Sequence, residues 1–212
     1  MHTFFSVRKP QAGFTLIELL VVLLMLSVTM TAVISFFSYQ ARSMRIENAH
    51  RAAQMTARGA LNFIVRHLEH IGRSPNLAFT AADPAIQEAE AERIHYLANL
   101  SDDWADTDTD DSWEDVIFEY DAGTETVVIN DSVNAYSLTD DTANPKSYVP
   151  AGGLVFTYFD KDGNIVAPGG NEAARASIRR VNISIIVRGV VPDGHPEPEV
   201  TLSQDIFLRN VS

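Results

Sequence analysis

The sequence predicts an α+β protein in which a long N-terminal helix, first apolar and then amphipathic, packs on an antiparallel β-sheet. Three observations carry that expectation. Phe14 to Phe37 is an apolar run with a single charge, Glu18. From Ile46 to Ile71 apolar residues return every third or fourth position, which is the spacing of one helix face. From Val116 onward, short runs rich in valine, isoleucine and aromatics alternate with turn residues, as strands do.

The apolar run comes first in the chain. Its 24 residues, rising about 1.5 Å each, are long enough to cross a bilayer core of roughly 30 Å. Before it stands a short polar leader, MHTFFSVRKPQAG, with Arg8 and Lys9 near its end. A secretory signal places its small-residue cleavage site after the apolar run, whereas the leader-like boundary here, Gly13, lies before it. Cleavage at Gly13 leaves the helix on the mature protein. Arg8 and Lys9 on one flank face Arg42 and Arg45 on the other, so the positive-inside count does not choose an orientation.

The nine residues Gly13-Phe14-Thr15-Leu16-Ile17-Glu18-Leu19-Leu20-Val21 resemble the type III signal of prepilins and of type II secretion pseudopilins. The resemblance implies that prepilin peptidase cuts after Gly13 on the cytoplasmic face and that Phe14 becomes the N-methylated N-terminus. It also implies that Glu18, five places into the mature chain, neutralises the N-terminal amine of a neighbouring subunit. Glu18 has an argument of its own, because a carboxylate within an apolar span costs about 2.5–3.5 kcal/mol on insertion scales and needs a partner. The plainer reading is a glutamate that snorkels to the headgroups.

No proline falls between Pro10 and Pro75, so one helix can run from the membrane into the body. Its stripe is Ile46, Ala49, Ala53, Ala57, Leu61, Ile64, Leu68 and Ile71, while Arg45, Arg51, Arg58, Arg66 and Glu69 occupy the other faces. Those charges read as a solvated or subunit-facing surface, with a nucleic-acid site as the alternative. Gly72, Ser74 and Pro75 supply the stop. Such a spine resembles the long first helix of pilins, many of which carry a helix-breaking proline where this chain has Ser35. The expected division is a leader over residues 1–13, a transmembrane helix over 14–39, its amphipathic continuation over 40–75 and a globular α+β body over 76–212.

In the body, Ala78 to Arg93 is rich in alanine and glutamate and predicts a short helix, followed by a strand at Ile94 to Leu97. Asp102, Asp103, Asp106, Asp108, Asp110, Asp111, Glu114 and Asp115 crowd the next stretch. Asp106, Asp108 and Asp110 have the one-three-five spacing of a calcium loop, but Asp111 stands where an EF-hand needs glycine and Ile117 where it needs glutamate. A looser, weak Ca²⁺ site and a solvated loop both remain open, and no other cofactor is expected. Strands are predicted at Val116–Tyr120, Thr126–Ile129, Val133–Leu138, Leu154–Phe159, Ile178–Val187 and Val200–Leu208. Asp160-Lys161-Asp162-Gly163-Asn164 is a second calcium-like string that a β-turn with Gly163 at positive φ explains more simply.

Composition narrows the function. At 212 residues and 46% hydrophobic content the chain holds one packed domain beyond the membrane segment. The formal charge of −12 divides into +2 for residues 1–13, +3 for 14–75 and −17 for 76–212. An acidic body repels polyphosphate, so nucleic acid is not an expected partner. Without cysteine there are no disulfides, thiolate zinc sites or thiol nucleophiles. No G-x-S-x-G, P-loop or dinucleotide fingerprint occurs, and an enzyme is not expected. His67 and His70, one turn apart on the helix, suit either a polar face or two ligands of a metal site without a visible third.

Two further stretches, Ala57 to Pro75 and Gly153 to Asn210, resemble the minor pilin W and pseudopilin J type of subunit. That resemblance implies a minor pilin or pseudopilin that primes or caps a type IV pilus or type II secretion pseudopilus. The implied partners are prepilin peptidase and other pilins or pseudopilins, at the inner membrane. The N-terminus would be cytoplasmic before processing and the body periplasmic. A pilin-like component of DNA uptake is the alternative, and an enzyme anchored by the helix a third.

Overall fold

The computed structural model describes residues 14–72, 84–98, 114–130, 135–138, 146–167, 169, 171–191 and 196–208. Helix α1 runs unbroken over Leu16–Leu68 and is shared between two compact units, Met1–Met44 and Arg45–Ser212. In the first unit the described side chains are all exposed, as an apolar helix is when only lipid is to cover it. In the second unit the same helix buries one stripe. Ala49, Ala53, Ala57, Leu61, Ile64 and Leu68 are buried as the period predicts, with Ala60 and Val65 beside them, while Ile46 is half-buried. The helix stops one turn short of the expected end. Ile71 stays buried in the following turn, and Gly72 takes φ 68° and donates its N–H to the Leu97 carbonyl.

The antiparallel pairing is as expected, and the strands divide between two sheets. The first is a meander of β1 (Ile86–Ala89), β2 (Arg93–Ala98), β3 (Glu114–Asp121), β4 (Thr126–Asn130) and β5 (Ala135–Ser137). The second holds β6 (Ser147–Tyr148), β7 (Leu154–Phe159), β8 (Ile165–Val166), β9 (Arg180–Gly189) and β10 (Glu199–Phe207), in the order β10-β9-β7-β8 with β6 also on β9. A short helix, α2 (Glu172–Ala176), precedes β9 and is capped by the Asn171 side chain. In β9, Val181, Ile183, Ile185 and Val187 face the core and alternate with half-buried residues, so a single strand orients the second sheet.

One expectation is overturned. Residues 86–89 are strand β1, not part of a helix over 78–93. Alanine and glutamate favour helix locally, but Ile86 and Ala89 are buried against β2 and the backbone pairs there, which outweighs a propensity difference of less than about 1 kcal/mol per residue. The 160–164 string is the β-turn expected of it. Gly163 takes φ 84°, and the Asp160 carboxylate accepts from the N–H groups of Asp162 and Asn164 and from the Asn164 amide.

Both sheets and the second half of α1 share one core. Near Ala49 the helix lies so close to β9 that a Cβ on Gly189 would stand 2.3 Å from the Ala49 carbonyl oxygen. Further along, the Thr56 hydroxyl meets that of Ser147 at 2.9 Å, and Phe63 and His67 pack edge-on against Phe118 of β3. Between the sheets, the β1–β2 turn is fastened to β7. Phe156 N–H donates to the Ala91 carbonyl, and the buried Tyr158 hydroxyl donates to the Glu90 carbonyl at 2.8 Å.

Candidate assembly site at the start of the apolar helix

Phe14 is the first described residue and is 84% exposed; Gly13 lies outside the described residues. Thr15 is the N-cap of α1, and three hydrogen bonds tie it to Glu18. The Thr15 N–H and hydroxyl both donate to the Glu18 carboxylate, at 3.2 and 3.1 Å, and the Glu18 N–H donates back to the Thr15 hydroxyl at 3.3 Å. This is a capping box, S/T-x-x-E, in which the helix satisfies its own first donors. The sequence reading of Glu18 missed it, although Thr15-Leu16-Ile17-Glu18 carries the signal. A carboxylate at the first turn also faces the positive end of the helix dipole. Glu18 is therefore held in place within a single chain, with one face of its carboxylate spoken for.

The rest of the span hides its polarity. The hydroxyls of Ser27, Thr29, Thr31, Ser35 and Ser38 each donate to a carbonyl three or four residues back. Each is satisfied inside the helix, which is what a lipid environment requires. At Ser35, where many pilins break the helix, the bond goes to the Thr31 carbonyl and α1 continues. Among the described residues of the span Glu18 is the one acidic or basic side chain.

The other candidates separate. Asp106, Asp108 and Asp110 lie outside the described residues, and Asp115 belongs to β3, beside His95. His67 stacks on Phe63 with ring centroids 4.1 Å apart and donates from Nδ1 to the Phe63 carbonyl, so it acts as a packed helix residue. Among the described residues no group of three or more histidine, aspartate or glutamate side chains is placed to hold a metal ion.

Comparison with known families finds the prokaryotic N-terminal methylation motif over residues 8–34. The match spans Gly13, the capping box and most of the apolar helix. It supports a type IV pilin-like prepilin. The match implies processing by prepilin peptidase and assembly with other pilins, and it fits a pilin anchored in the inner membrane by α1. Neither the curated proteins nor the solved structures give a match to the chain. A pilin-like reading makes the chain a structural subunit, and the long helix on antiparallel sheets has the pilin-like layout.

Proposed function

We propose that this pilin-like protein is a minor pilin or pseudopilin, cut after Gly13, N-methylated on Phe14 and joined to its neighbours through Glu18. It primes or caps a type IV pilus or a type II secretion pseudopilus. Residues 14–39 span the inner membrane and the body lies in the periplasm. The observation that carries this reading is the methylation motif laid on an exposed apolar helix whose one charge sits at the first turn. A carboxylate kept there against its insertion cost needs a cation, and the amine of a cleaved neighbour supplies one at the same depth.

Variants of Glu18 test it. Glu18→Val removes both the charge and the box, while Glu18→Gln keeps a capping box and removes only the charge. If the charge registers subunits, both variants lose crosslinking to other pilins while Gly13 is still cleaved, and Glu18→Val inserts more readily than the native chain. Intact mass of membrane-extracted protein and crosslinking yield are the readouts. A native chain that keeps Met1 in cells with active peptidase ends the prepilin reading; full crosslinking by Glu18→Gln reduces Glu18 to a helix cap.

A further inference from the structure

The charge of the body is uneven along the sequence. Residues 76–141, which hold the first sheet, carry a formal charge of −17, and residues 142–212, which hold the second, carry none. Within the first sheet, the β1–β2 and β3–β4 turns lie side by side, since the Tyr120 N–H donates to the Glu92 carbonyl. Glu90, Glu92 and Glu125 are exposed on these turns, next to Asp121. Tyr120 registers their convergence: its hydroxyl is held above the usual phenol range by burial and then by Glu125, Glu92 and Asp121.

The solvent face of α1 in the same unit has the opposite character. Arg51, Met55, Arg58, Asn62 and Arg66 recur at three- and four-residue steps and are exposed, directly opposite the buried stripe. Met55 is 76% exposed, and a Cβ on Gly59, one turn on, would meet only open space, so the methionine stands clear on this face. Arg51 pairs with Glu47; among the described residues neither Arg58 and Arg66 nor Glu92 and Glu125 have an ion-pair partner. An exposed apolar residue between cations fits a partner surface rimmed by carboxylates.

We propose that the Arg51–Arg66 face of α1 docks against the acidic β1–β2 and β3–β4 turns of a second copy of this chain. Both halves of the contact are on one chain and are different surfaces. The contact is therefore heterologous, using a different surface on each of the two copies. The contact deepens the pilin-like reading, resting on it only in that the two copies are anchored side by side.

The cysteine-free chain makes the test direct. Full-length Met55→Cys and Ala122→Cys variants, carrying different tags, are co-expressed in cells with prepilin peptidase and treated with a short bis-maleimide. Residue 122 is exposed between Asp121 and Glu125. A mixed dimer is expected, with neither variant crosslinking to itself. Arg58→Glu on the Met55→Cys chain should lower its yield about tenfold, Glu125→Arg on the partner should recover much of it, and high salt should weaken the native pair. Absence of the mixed dimer, equal self-crosslinking by either variant, or capture of a different protein at both positions overturns the contact. Intact mass of the same sample keeps the two readings apart: a processed chain without the dimer refutes the contact alone, and a dimer of chains that keep Met1 refutes the pilin-like reading alone.

Discussion

Two buried tyrosines in the body differ in one atom's surroundings. Tyr158 donates its hydroxyl to the Glu90 carbonyl, whereas the hydroxyl of Tyr96, fully buried on β2, has no partner among the described residues. Burial pushes both phenols well above their usual range. Leaving a buried polar group unpaired costs about 1–3 kcal/mol, so Tyr96→Phe should stabilise the fold by roughly 1 kcal/mol and Tyr158→Phe should destabilise it by a similar amount. Denaturant midpoints of the two variants check this, and a loss on Tyr96→Phe would mean that the hydroxyl is paired. Asp160 offers a titration. The Asn164 amide and the N–H groups of the turn favour its charged form and hold it below the ordinary carboxylate value of 3.8. With the folded value depressed, the turn's contribution is complete above the ordinary value and is lost as pH falls through the lower one. A carboxyl NMR titration should place the Asp160 midpoint below 3.8; a midpoint at or above that value would contradict the bonds described.

At the scale of elements, the Ala49–Gly189 crossing is a close approach of the helix to the sheet. Gly189→Ala would drive a methyl into the Ala49 backbone, which cannot move aside without shifting α1 or β9, and should destabilise the body by about 1–3 kcal/mol. Gly59→Ala on the open face should not, and the difference between their unfolding midpoints is the measurement. What could be read in the sequence follows from how each element is stabilised. β7 and β9 were legible because they bury one face, so that alternation is written into Leu154–Phe159 and Val181–Val187. β1 was not, because its residues are helix formers and its strand state depends on pairing with β2. β6 and β8 have two residues each, too few for any period to register. At the candidate site, the methylation motif was plain at Gly13 to Val21, while the capping box was concealed by reading Glu18 as a charge in need of a distant partner rather than as the third residue after a threonine.

The whole molecule divides at Met44 and Arg45, and the second unit contains its entire described core. A chain of residues 45–212 should therefore be soluble and unfold cooperatively without the apolar helix. Circular dichroism on that chain is the test, and a disordered spectrum in native buffer would show that the body depends on its anchor. The partition into two sheets was beyond the sequence, since nothing local tells strands 86–137 from strands 147–207; the charge division between them was countable all along. Helix α1 is fastened to the body all along its second half, through its buried stripe and through contacts that include Ala49 on β9, Thr56 on β6 and Phe63 with His67 on β3. A tension applied along α1 loads these attachments together, in shear, as in a lap joint, instead of peeling them one after another. The body should hold its shape under a pull along that axis until the contacts give way together, and should yield far sooner to a pull that lifts the helix off sideways.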